Sequence, residues 1–160
     1  MTEQKKDKSL NNQVGWNLYR TGMMMRREGA RMLMRYNLTP EQWQIMMILG
    51  SKGALTQKAL GDITLQDAPA VSRAVQRLIG KNYAKKSSSD KDKRAVQVEI
   101  TDKGVLLLSD IVLRMKKAHR VKDIYQNFSD AKKRQLIKLL TELRSNLENN
   151  IHPDNFGGEK

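Results

Sequence analysis

Ser72, Arg73, Gln76 and Arg77 fall within six residues and recur at the one- and four-residue spacings that place side chains on a shared helix face. Side chains of these types can read base edges. A guanidinium pairs bidentately with guanine, a carboxamide with adenine, and a hydroxyl with either a base or a phosphate. Ala70, one turn earlier, is small enough to sit against a base edge. A second group, Lys91, Asp92, Lys93 and Arg94, crowds charge into one loop. Its cations suit phosphates, and Arg94 is placed to enter a minor groove, where narrow A·T-rich segments concentrate negative potential. Asp92 would repel phosphate. It reads either as a brace that hydrogen-bonds Arg94 into one pose or as an ordinary turn aspartate. Any amphipathic helix has a polar face, so residues 70–77 alone leave a merely solvated surface open. The basic loop that follows is not explained by a solvated helix.

Other chemistry finds no residues to carry it. The two histidines, His119 and His152, are not at ligand spacing, so no metal site is expected. Cysteine is absent, which excludes disulfides, thiolate metal sites and a thiol switch. No glycine-rich phosphate loop, nucleophile elbow or zinc-protease signature occurs. Asp90 and Asp92 lie in a polar stretch where nothing raises a carboxyl pKa for acid–base work. The chain is therefore expected not to be an enzyme and to need no cofactor. Met23 to Met25, Met32 and Met34 read as packing residues before they read as a ligand surface.

The balance of charge agrees with a polyanionic partner. The 160-residue chain carries a formal +13, and neutralising phosphates releases condensed counterions. Residues 52–94 concentrate the excess, with ten Lys or Arg against four Asp. No apolar run approaches the roughly 20 residues of a membrane span, and Met1 to Lys8 lacks the apolar core of a signal peptide. A cytoplasmic location without membrane attachment is expected.

The elements that must hold these residues are marked by their caps. A long helix runs to about Tyr36, its stripe drawn by Val14, Leu18, Met25 and Met32. Gly15, Gly22 and Gly29, seven apart, either weaken it or admit a close neighbour. Thr39-Pro40-Glu41-Gln42 has the form of a capping box with proline at the first helical position. Thr56 starts a short helix ending near Ile63 or Thr64, and Asp67 to Pro69 starts another. On the latter, Val71, Val75, Leu78 and Ile79 mark the buried face, and Asn82 is a left-handed stop. Two strands follow, Tyr83–Ser87 and the alternating Ala95–Ile100, with the basic loop between them. Thr101 caps a helix expected to reach about Tyr125, with Val105, Leu108, Ile111, Val112 and Met115 on its apolar face. Ser129 opens the last helix, striped by Leu136, Leu139, Leu140, Leu143 and Leu147.

Leu38-Thr39…Gln42, Val71-Ser72-Arg73…Arg77-Leu78, Asp92-Lys93-Arg94 and Ile100-Thr101-Asp102-Lys103-Gly104 together resemble the MarR family of winged-helix regulators. The resemblance is specific over Leu38 to Gly104; the flanking helices match in length and order. Three positions depart from the pattern: Asn82 stands for a common glycine, Ala70 for Thr or Ser, and Ile100 for leucine. The resemblance implies a mainly α (α+β) fold. Residues 38–104 would form a winged helix-turn-helix lobe, and residues 10–36 and 105–150 a dimerisation region. Together these make one domain over 10–150, with tails at 1–9 and 151–160. It further implies a homodimer, double-stranded DNA as partner, and a small effector, often aromatic or anionic, with no pocket residue marked.

The expected function is that of a sequence-specific dimeric transcriptional regulator, a ligand-responsive repressor on a palindromic operator. Its DNA-contacting residues would be Ala70, Ser72, Arg73, Gln76, Arg77, Lys91, Lys93 and Arg94, with Asp92 bracing the wing. The alternatives are a nucleoid-type protein that coats DNA with little sequence preference, and a protein-binding adaptor.

Overall fold

Capping decides where each helix of the lobe begins. The computed structural model describes residues 10–88, 96–117 and 124–150. Within it, α1 spans Val14–Leu33 and continues as a single 3₁₀ turn, Met34–Tyr36. Asn37 then takes a left-handed conformation (φ 53°), and α2 begins at Pro40 and runs to Lys52. Thr39 Oγ1 accepts from Gln42 N at 3.3 Å, and Gln42 Oε1 accepts from Thr39 N at 3.1 Å, so the expected capping box is complete. That box is partly buried, and Gln42 is only 1% exposed. A buried amide is tolerable there because the cap satisfies it.

The next two helices are α3, Gln57–Thr64, and α4, Ala68–Gly80. Thr56 Oγ1 accepts from Ala59 N at 3.2 Å, and Asp67 Oδ1 accepts from Ala70 N at 2.6 Å. The turn between them contains no glycine. Leu65 supplies the left-handed residue instead, at φ 55° and 92% exposed. An L-residue there carries a strain of about 1–2 kcal/mol.

The sheet has three strands where the sequence suggests two. β1 (Leu55–Thr56), β2 (Ala84–Ser88) and β3 (Val96–Ile100) are antiparallel in the order β1-β3-β2. The register pairs Leu55 with Val98 on one side of β3 and Lys86 with Val98 on the other. In the sequence, Leu55 and Thr56 read only as the start of α3. A two-residue strand has no alternation to betray it, and its existence depends on β3 passing alongside.

One core serves α2, α3, α4 and the sheet. Ile45, Met46, Leu49, Leu60, Val71, Val75, Leu78 and Val98 are all at most 1% exposed. Leu33 and Ile111 bring α1 and α5 (Asp102–Lys117) into it. Val105, expected on the buried face of α5, is 43% exposed. The position nearest the wing is filled by Gly104 instead, because nothing larger fits. A Cβ there would lie 2.3 Å from Tyr83 O.

The chain divides into two units, Met1–Val112 and Leu113–Lys160. In the second, α6 spans Asp130–Asn150, and Ser129 Oγ accepts from Lys132 N at 3.3 Å at its start. Its stripe is not buried within the chain: Leu136, Leu139, Leu140 and Leu147 are exposed. The expected extension of α5 to Tyr125 crosses 118–123, outside the described residues, and so do the proposed tails.

Two substitutions test this account by equilibrium unfolding. Gly104→Ala should lose roughly 1–3 kcal/mol, because the overpacked atom is backbone and cannot swing away. Leu65→Gly should gain about 0.5–1 kcal/mol, relief of left-handed strain exceeding the entropic cost of glycine. Equal stability of Gly104→Ala and wild type would disprove the close packing at the wing base.

Candidate nucleic-acid interface

Helix α4 is pinned on one side and open on the other. Val71, Ala74, Val75 and Leu78 are buried against α2 and α3. Ala68, Pro69, Arg73, Gln76, Arg77 and Gly80 are exposed, while Ala70 and Ser72 are half-buried. At 3.6 residues per turn, Pro69, Arg73, Gln76 and Gly80 lie along the middle of the exposed stripe. Ser72 flanks it on one edge, and Ala70 and Arg77 on the other. The sequence-expected residues are thus brought together on one helix surface, but they face different neighbours. Ala70, Arg73 and Arg77 line a cleft of about 280 Å³ with Thr39, Glu41 and Gln42 of the α2 start. Pro69 was not singled out from the sequence, although it lies four residues before Arg73 and the helical repeat alone places it on the same stripe.

The far end of α4 is tied down by several bonds. Lys81 caps the helix, and Asn82 follows at φ 58°. Asparagine tolerates this conformation, so it replaces the more usual glycine without loss of the turn. Thr101 Oγ1 donates to Asn82 O at 2.7 Å and accepts from Gly104 N at 3.1 Å. Thr101 N donates to Tyr83 O at 3.1 Å. Lys103 Nζ donates to Lys81 O at 3.2 Å and sits 5.1 Å above the Tyr83 ring. Lys81 Nζ in turn donates to Asn37 O ahead of α2. The Thr-Asp-Lys-Gly segment therefore clamps the end of α4 to the base of the wing and the start of α5.

The wing strands β2 and β3 are cross-braced by Lys85 and Glu99, 2.8 Å apart. The hydrogen bond and charge of Glu99 raise the Lys85 pKa above its ordinary value. Lys91, Asp92, Lys93 and Arg94 lie outside the described residues. At the other end of the cleft, Arg26 of α1 pairs with Glu41 of α2. Burial pushes the Glu41 carboxyl up. The helix-start backbone N–H, hydrogen bonds from Arg26 and Thr39, and the Arg26 charge outweigh it, leaving the pKa below 4.5. This link between α1 and α2 had no signal in the sequence, because the partners are 15 residues apart in different helices.

Among the described residues no cluster of His, Cys, Asp or Glu is arranged to hold a metal, and no helix is long and apolar enough to cross a membrane.

A helix-turn-helix followed by a β-wing defines a winged-helix DNA-binding class. Residues 36–95 match the model of the MarR family. The organic hydroperoxide resistance transcriptional regulator of Bacillus subtilis is 26% identical over 98 residues, 61% of this chain and 67% of that protein. The matched stretch spans 58–68% of the lengths of the curated relatives it resembles. A MarR family transcriptional regulator from Silicibacter pomeroyi superposes with a TM-score of 0.77 at 24% identity, covering 89% of this chain and 95% of that one. CouR from Rhodococcus jostii, solved bound to p-coumaroyl-CoA, superposes at 0.76 with 18% identity, covering 85% and 94%. The chain has the winged-helix fold of these solved structures, and residues 36–95 of its lobe are similar to the MarR family.

The lowered carboxyl pKa gives a pH-dependent expectation. A depressed carboxylate contributes stability above its unfolded pKa and loses it as pH falls through the folded value. Glu41→Gln should therefore be less stable than wild type near neutral pH. The difference should shrink below pH 4.5 as the wild-type carboxyl protonates. Parallel urea titrations across that range check this; a difference independent of pH would show that the ion pair contributes nothing.

Proposed function

We propose that the protein is a sequence-specific, dimeric DNA-binding regulator acting in the cytoplasm, a repressor on a palindromic operator, and not an enzyme. The observation that carries this reading is the exposed Arg73–Gln76–Arg77 surface on a helix whose opposite face is fully buried. A helix held so firmly presents its polar face in one pose, which base readout requires and mere solubility does not. Ala70 and Ser72 extend that contact. Lys91, Lys93 and Arg94 engage backbone and minor groove, with Asp92 holding Arg94.

The dimer is supported by apolar surface left open in each unit. In α1, Val14, Leu18, Tyr19, Met23, Met24 and Met25 are exposed, and in α6 so is the leucine stripe. Stripes of this extent on two helices are what a second copy covers. Among the described residues, and apart from the backbone of α1 itself, a methyl group placed at Gly15, Gly22 or Gly29 would meet no atom within 4 Å, which leaves room on α1 for a closely packed partner helix. An effector site is supported by a groove of about 430 Å³ between α1 and Pro40. Met23 and Met24 give it apolar walls, and Arg20 and Arg27 a cationic rim, suited to a small aromatic or anionic ligand.

The high positive charge also fits a protein that coats DNA indiscriminately, and one experiment separates the two. Selection of bound sequences from random duplexes should return a palindrome with half-sites roughly 34–36 Å apart, preferred over random DNA by about 10³-fold or more. No enrichment would favour the coating protein, and no binding at low salt a protein-binding adaptor. On the selected site, Arg94→Ala should reduce the salt slope by about one unit. Gln76→Ala or Arg77→Ala should each relax one base preference, at about 1–3 kcal/mol.

A further inference from the structure

The first turn of α4 is chemically unlike the rest of its exposed face. Ala68 and Pro69 are exposed and Ala70 is half-buried, so beyond the Asp67 cap these three residues offer no side-chain donor or acceptor. Beyond Ala68, its backbone donors are also taken or missing. Pro69 has no N–H, Ala70 N–H is held by the Asp67 carboxylate at 2.6 Å, and Val71 N–H by Asp67 O at 3.1 Å. The free amides that let a helix start grip a phosphate are therefore largely absent, and the Asp67 carboxylate opposes one. One turn further on, Arg73 and Gln76 supply the polar readers. Pro69, on the same stripe as those readers and with neither an N–H nor a polar side chain, has only van der Waals surface to offer a base pair. The apolar feature that distinguishes one base pair from another in the major groove is the C5-methyl of thymine.

We propose that Pro69, with Ala70 beside it, is a specificity-determining surface that selects thymine by contact with its methyl group. The inference rests on the DNA-reading function proposed above and adds a defined base to it. Pro69 projects from the middle of the stripe, so it makes the contact, and Ala70 at the edge keeps the approach open. Discrimination is hydrophobic and involves no hydrogen bond, so it is insensitive to salt, unlike the contacts of Arg73 and Arg77.

The test uses the wild-type chain and the duplex obtained by selection, with each thymine replaced singly by deoxyuridine. Removing a contacted methyl should weaken binding about fourfold, at one position or two adjacent positions in each half-site, and the ratio should hold as salt is raised. In Pro69→Ser, with its fold confirmed by thermal unfolding, the thymine-to-uracil ratio at that position should fall to near one. A preferred duplex at which no thymine methyl matters overturns this inference and leaves the regulator reading standing. A methyl effect unchanged in Pro69→Ser overturns the assignment to this surface. Failure to select any preferred duplex overturns both.

Discussion

The clamp between the end of α4 and the start of α5 is the constraint on which the rest of the lobe depends. Thr101 uses its hydroxyl twice, donating to Asn82 O and accepting from Gly104 N. Gly104 must be glycine because the Tyr83 carbonyl occupies the space a side chain would need. These contacts fix where the wing leaves the helix and how α5 departs. With Val71, Val75 and Leu78 fully buried on the other side, α4 has no freedom to roll. A polar face becomes a reading surface only when its pose is set this firmly, and the Ile100-Thr101-Asp102-Lys103-Gly104 segment is the local chemistry that sets it.

Much of this was legible before any coordinates. Thr39 with Gln42, Thr56, Asp67 and Ser129 each announce a helix start through a side chain that must satisfy backbone N–H groups. All of them do so in the structure. The alternation over Val96–Ile100 marks its strand in the same way. What the sequence concealed has a common cause: it depends on distant neighbours. Strand β1 exists only because β3 runs beside it, and the Arg26–Glu41 link needs two helices to cross. The exposure of Val105 follows from the glycine before it taking the inner position. The face of α4 was legible in its polar residues, whereas Pro69 and the apolar start of the helix were not, since proline reads first as a capping residue and only by position as surface.

Two kinds of exposed surface remain once the core is accounted for, and they call for different partners. The α4 stripe is polar and cationic and suits a grooved polyanion. The α1 and α6 stripes are apolar and suit a second protein surface. A dimer that covers the latter and doubles the former uses both, which is why the proposed function assigns them to one assembly. The effector site proposed above is the α1 groove with its arginine rim. A ligand there acts only if it binds one spacing of the two lobes better than another.

The central claim is that α4 enters the major groove and reads base edges there. Methylation interference with dimethyl sulfate tests it most directly, because the reagent places a methyl on guanine N7 at the major-groove edge. Guanines whose methylation blocks binding should cluster in two patches, roughly 34–36 Å apart along one face of the duplex. Binding indifferent to every N7 methyl, with interference only from adenine N3 in the minor groove, would contradict the claim.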